Sequence, residues 1–141
     1  MRYRFAAVSA AALLCVAGAT GMAEAKPASL YAPSAMVFAV AKGDDPATAT
    51  FLRASTLSCA PSAQGTHSDP KAACAALKST DGNLDRLLSA PNPDRACPMH
   101  YDPVTVTVDG VWEGGHVAWK RTFSNTCAMN ATLNGSAVFV F

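Results

Sequence analysis

The clearest hydrophobic pattern lies in the carboxyl third. Val104, Val106 and Val108 alternate with Thr105, Thr107 and Asp109, and Val117, Trp119, Arg121 and Phe123 alternate with Ala118, Lys120 and Thr122. Strict alternation predicts half-buried antiparallel strands. Asp109-Gly110 and Gly114-Gly115 supply turn or bulge positions between them, and Ala137 to Phe141 reads as a last strand. Nearer the start, Ala35 to Lys42 carries the apolar run Met36-Val37-Phe38-Ala39-Val40, bounded by Pro33 and by Gly43-Asp44-Asp45-Pro46, which predicts a strand and a turn. Phe51 to Cys59 is a second strand, and Cys59 to His67, holding Pro61 and Gly65, a loop. Asp69-Pro70 followed by Lys71 to Lys78 predicts a helix with a polar cap and a proline in its first turn, where its missing N–H would be unpaired in any case. Ala73 and Leu77 share a face of it, and Cys74 faces the loop from Cys59; Asn83 to Leu88 is a short second helix. Strands that cluster around helices in this order define an α+β arrangement, with helices covering one face of an antiparallel sheet.

The amino terminus changes the picture of where this domain acts. Arg2 and Arg4 precede an apolar, small-residue run from Phe5 to Ala19, and Ala23-Glu24-Ala25 fits the A-x-A cleavage rule. Residues 1–25 therefore read as a secretory signal peptide, and the run is too short and too rich in Ala and Gly for a firm membrane anchor. Its removal leaves 116 of 141 residues, enough for one domain with a single core. Residues 26–34 read as a loose arm without periodicity, and 35–141 as the folded domain. The whole chain has 11 basic and 10 acidic side chains; Arg2, Arg4 and Glu24 lie in the leader, which leaves nine of each sign. A balanced surface gives no electrostatic case for nucleic acid or an anionic membrane as partner.

Cys15 leaves with the leader, and Cys59, Cys74, Cys97 and Cys127 remain in a chain bound for an oxidising, extracellular compartment. Four exported cysteines read as two disulfides with three possible connectivities, of which pairing sequence neighbours is the simplest. Between the second helix and the valine strand, the stretch from Pro91 to Pro103 is too rich in proline for a helix. Ala96 to Asp102 within it is expected to be extended, pre-ordered and solvent-facing. Met99 in that segment has two readings from the residues alone, a flexible filler folded back into the core or an exposed contact residue. Trp112 and Trp119 read as core or interface aromatics, His67 as a structural hydrogen-bonding group, and Arg121 as reaching solvent or an acidic partner at the sheet edge.

The run Cys97-Pro98-Met99-His100-Tyr101-Asp102-Pro103-Val104 resembles the Streptomyces subtilisin inhibitor family. So do Thr107-Val108-Asp109-Gly110-Val111-Trp112, Phe123-Ser124-Asn125 ahead of Cys127 and Met129-Asn130, and Leu30-Tyr31-Ala32-Pro33-Ser34-Ala35. The family's pattern C-x-P-x(2,3)-G-x-H-P-x(4)-A-C is met by Cys59, Pro61, Gly65, His67, Ala73 and Cys74, with Ser68 where the pattern has proline. The resemblance implies a five-stranded antiparallel sheet with two helices packed on one face, disulfides Cys59–Cys74 and Cys97–Cys127, and a homodimer formed through the sheet. It also implies a subtilisin-like serine protease as partner and Met99–His100 as the reactive bond. Met99 would fill the protease's primary pocket, with Ala96, Cys97, Pro98, Tyr101 and Asp102 as the surrounding contact loop. His100 departs from the small or aliphatic residues expected at its position.

An extended segment can pair with the strands lining a protease cleft as a substrate does. Unbranched, apolar methionine suits a deep hydrophobic pocket rather than one with a carboxylate at its base. An enzyme is the first competing class, but the chain has no G-x-S-x-G and no H-E-x-x-H, and His67, His100 and His116 fall in separate segments. No C-x-x-C pair suggests a metal site, and no cofactor motif is present. A disulfide-stapled adhesion or binding module that ignores proteases is the remaining alternative.

Overall fold

The alternating segments pair into one sheet because each has an apolar face to hide. The computed structural model describes residues 32–45, 47–90, 94 and 96–141. Strands β1 (Ser34–Lys42), β2 (Thr50–Ala60), β3 (Gln64–Gly65), β4 (Val104–Trp112) and β5 (Gly115–Phe123) form an antiparallel sheet in the order β3-β2-β1-β4-β5. Across β1, β4 and β5 the register aligns Phe38 with Val108 and Trp119, Val40 with Val106 and Arg121, and Lys42 with Val104 and Phe123. Directly opposed residues point to the same side, so the valines stack on one face. Helices α1 (Pro70–Ser79) and α2 (Thr126–Leu133) cover that face, burying Ala73 and Leu77 of the first and Met129 and Leu133 of the second in a single core with Met36, Phe38, Val40 and Leu57. This is the expected five-stranded α+β fold.

Four local expectations are corrected. The loop from Cys59 to His67 contains β3, where Thr56 and Thr66 exchange backbone-to-hydroxyl hydrogen bonds. The segment expected as a last strand is instead a 3-10 turn, Ala137–Phe139. The Ser136 hydroxyl accepts from the Val138 amide and caps the turn, and the Phe139 and Val140 amides donate back to the Ser136 and Ala137 carbonyls, so this backbone closes on itself instead of pairing with a strand. Asn83 to Leu88 holds a 3-10 turn, Leu84–Leu87, capped by the Asn83 side chain, rather than an α-helix. The second α-helix is α2, which shows in the sequence only as Met129 and Leu133 four residues apart among small and polar residues.

The segments on either side of α1, the 3-10 turn at Leu84–Leu87 and the carboxyl terminus are fixed by specific bonds. His67 is buried, accepts from the Asp69 amide at Nδ1 (3.1 Å) and therefore donates from Nε2 to the Val138 carbonyl (3.0 Å), the structural role expected of it. Trp119 packs beside Phe139 and donates to Asp85, while Trp112 donates to Asp81. Arg121 reaches Asp85 at 3.9 Å across exposed surface. The β4–β5 turn is Glu113-Gly114, both with positive φ (46° and 82°), as a tight hairpin requires. Gly110 lies within β4, not in a turn, and a Cβ there would meet the Ala35 carbonyl oxygen at 2.2 Å.

The expected leader (1–25) and residues 26–31 of the expected arm lie outside the described residues. The end of that arm is not loose: Ser34 is buried in β1 and its hydroxyl accepts from the Glu113 amide, while Pro33 accepts from Gly114.

Candidate functional site

Residues 96–103 connect the helical face to β4 without regular secondary structure. Their shape comes from what surrounds them. On the amino-terminal side Cys97 is half-buried and bridged to Cys127, the second residue of α2. On the carboxyl-terminal side the Asp102 amide donates to the Ser124 carbonyl (2.8 Å), and β4 begins at Val104. Met99 and His100 stand between these anchors, and Met99 is 98% exposed. The core-filler alternative for Met99 is thus excluded. A fully solvated methionine forgoes roughly 2 kcal/mol of burial and has no structural purpose in the free protein.

Asn125 sets the geometry at the tip. It is 2% exposed and spends its whole amide: Nδ2 donates to the Pro98 carbonyl (2.9 Å) and the His100 carbonyl (3.1 Å), and Oδ1 accepts from the Ala128 amide (3.0 Å). The last bond is the helix N-cap of α2. One side chain therefore grips the loop on both sides of Met99 while being locked by the helix it starts. The two carbonyls bracketing Met99 point inward, so the Met99 side chain projects outward.

A second set of contacts holds the stretch after His100. Lys42, the last residue of β1, forms an ion pair with Asp102, and Tyr101 Oη donates to Asp44 (3.4 Å). The turn carrying Asp44 is fixed in its turn by Gly43 N–H to the Pro103 carbonyl and by Thr105 Oγ1 to the Gly43 carbonyl, both 2.8 Å.

The loop residues named from the sequence are thus brought together, with Ala96, Pro98, Met99, His100 and Tyr101 exposed and Cys97 and Asp102 half-buried. Of the residues that brace the loop, Ser124 and Asn125 stand out in the sequence only as part of the family-like Phe123-Ser124-Asn125 run, and Lys42 and Asp44 only as a strand end and a turn residue, none with a role in the loop. Asn125 has a findable signal, a capping residue ahead of a helix, but that helix was not foreseen; Lys42 and Asp44 lie some sixty residues from the loop and have none. Cys59 pairs with Cys74 and Cys97 with Cys127. Among the described residues no group of His, Cys, Asp and Glu is arranged to hold a metal ion, and no helix is long and apolar enough to cross a membrane.

A small disulfide-linked α+β scaffold presenting a braced, solvent-exposed loop defines a class of recognition protein, and comparison with known proteins identifies which. The family described as subtilisin inhibitor-like matches residues 32–125. Subtilisin inhibitor-like protein 8 of Streptomyces virginiae is 73% identical over 111 residues, covering 79% of this chain and all of that one. Trypsin inhibitor STI2 of Streptomyces longisporus is 50% identical over 117 residues, 83% of this chain and 78% of the relative. Among solved structures, Streptomyces caespitosus sermetstatin in complex with Bacillus licheniformis subtilisin aligns with a TM-score of 0.72 and 61% identity, over 77% of this chain and 99% of that one. The chain belongs to the subtilisin inhibitor-like family, a family of protease inhibitors rather than enzymes.

Proposed function

We propose that this protein is a secreted inhibitor of subtilisin-like serine proteases that binds as a substrate would, with Met99–His100 as its reactive bond. The observation that carries this reading is a methionine 98% exposed on a segment whose flanking carbonyls are both held by one buried asparagine. Such a loop is ordered before it meets a partner, so docking it costs little conformational entropy. A segment free of regular secondary structure can add to the strands of a protease cleft, and Met99 can enter an apolar primary pocket. Relatives named for subtilisin and for trypsin share this scaffold, which supports assigning specificity to the side chain at the tip rather than to the frame. Ala96, Cys97, Pro98, Tyr101 and Asp102 complete the contact surface. The Cys97–Cys127 bridge keeps the acyl side of a cut bond attached to the scaffold, which favours religation over release.

The same reading includes export under the leader, supported by two disulfides, and a homodimer through the sheet face opposite the helices. Val37 lies on that face, half exposed, opposite Thr56 and Asp109.

Met99→Asp tests the loop. A carboxylate driven into an apolar pocket without a partner is expected to cost about 4 kcal/mol of binding, about a thousandfold in the inhibition constant for subtilisin. The melting temperature stays within a degree or two, because an exposed side chain contributes little to folding. Unchanged titration of subtilisin by the variant would remove Met99–His100 from the mechanism.

A further inference from the structure

We infer that Lys42 is a positioning residue for the leaving side of the reactive bond, working through Asp102; the inference rests on Met99–His100 being that bond. When a serine protease attacks, its serine oxygen bonds to the Met99 carbonyl carbon, the bond to the His100 nitrogen breaks, and the serine's proton passes to the departing His100 amine. Two fates follow. Water attacks the acyl group and leaves a Met99 carboxylate with the free serine, or the His100 amine attacks, re-forms the peptide bond and returns its proton to the serine oxygen. The second outcome depends on how closely the amine stays to the acyl carbon.

The acyl side is held covalently, since Cys97 lies two residues before the bond's Met99 and is bridged to α2. The amine side has no covalent tether short of the sheet. Lys42 sits at the end of β1, whose register is fixed on both sides, and pairs with Asp102 two residues beyond His100. Asp102 is additionally fixed through its amide to Ser124. With Asp102 held by Lys42 as well as by Ser124, the amine swings on two residues, a reach of about 7 Å; without Lys42 the Ser124 bond and the Asn125 bond to the His100 carbonyl hold the segment alone, and whenever these open the free length extends over four residues to Val104, about 14 Å. Local concentration falls roughly as the −3/2 power of tether length, so doubling the length dilutes the amine about threefold. Both charged groups are 46% exposed, and salt at high concentration screens such a pair.

The test uses the full protein with catalytic subtilisin, approaching equilibrium from intact and from clipped inhibitor and reading the clipped-to-intact ratio by mass spectrometry. Lys42→Met is expected to raise the ratio by up to about threefold, and Lys42→Arg to restore it. The wild-type ratio should rise with added sodium chloride toward that of Lys42→Met, whose own ratio should not change. A scaffold role alone would lower the melting temperature and leave the ratio independent of salt. Equal ratios in wild type and Lys42→Met, with cleavage at Met99–His100 in both, overturn the role of Lys42. Absence of cleavage at that bond in the wild type overturns the assignment of the bond itself, and with it the inference.

Discussion

The two disulfides fasten opposite ends of the same sheet, and they fasten different things. Cys59–Cys74 joins the end of β2 to α1, where both cysteines pack against the hydrophobic core. Cys97–Cys127 joins an exposed loop to the start of α2. Antiparallel pairing places Ala60 opposite Ser34 and Thr50 opposite Lys42, so the first bridge lies at the Ser34 end and the loop at the Lys42 end, about 27 Å away along β1. In the chain-entropy account, closing separations of 15 and 30 residues stabilises by about 3 and about 3.7 kcal/mol. Folding energetics therefore hardly distinguish them. What distinguishes them is whether the held segment is part of the core or part of the binding surface.

Removing each bridge in turn gives the largest expected contrast. Cys59→Ala with Cys74→Ala should cost about 3 kcal/mol of stability, a fall in melting temperature of about 12 °C for a domain of this size, and leave subtilisin titration at 25 °C intact. Cys97→Ala with Cys127→Ala should cost about as much stability and also convert a lasting inhibitor into a transient one, with faster cleavage after Met99. Thermal unfolding and time-resolved recovery of protease activity measure the two axes. Equal recovery of activity with both variants would mean that the two ends are not functionally distinct.

The helix caps sharpen the same contrast on a smaller scale. Asp69 caps α1 by accepting from the Ala72 amide and does nothing else to the loop. Asn125 caps α2 through Oδ1 and braces Met99 through Nδ2. Asp69→Ala should lower stability by about 1 kcal/mol with no change in inhibition. Asn125→Asp keeps the capping oxygen but sets a carboxylate oxygen against two carbonyls, and losing both bonds, about 3 kcal/mol, should weaken inhibition by about a hundredfold while α2 remains capped. Circular dichroism and subtilisin titration of the pair separate brace from cap.

The same difference between ends governs what could be read from the sequence. The sheet was legible because Val104, Val106 and Val108 obey a period of two and because burial makes that period obligatory. The helix α1 was legible from its proline, its cap and the Ala73–Leu77 face. The failures occur where burial is achieved without periodicity: Val138 and Phe139 are buried as neighbours in a 3-10 turn, and α2 buries only Met129 and Leu133. The loop itself was legible from prolines, a cysteine and a family resemblance. Its supports were not, because Lys42, Asp44 and Asn125 act on it across the fold, and no local pattern encodes a contact between residues 42 and 102.

The smallest expected effects come from single polar contacts, and they too divide by end. Ser34 is buried and its hydroxyl accepts from the Glu113 amide at 2.9 Å; Ser34→Ala leaves that amide unpaired and should cost about 1 kcal/mol without affecting inhibition. Tyr101 Oη reaches Asp44 at 3.4 Å on exposed surface, beyond the usual range of an O–H···O bond. Tyr101→Phe should therefore change the subtilisin inhibition constant less than twofold and the melting temperature not at all. The loop end would then hold its shape through a disulfide, one buried amide and one ion pair, with exposed hydrogen bonds adding little. A tenfold loss of inhibition in Tyr101→Phe would instead show that the Asp44 contact, or the tyrosine hydroxyl in the protease cleft, belongs among the principal braces.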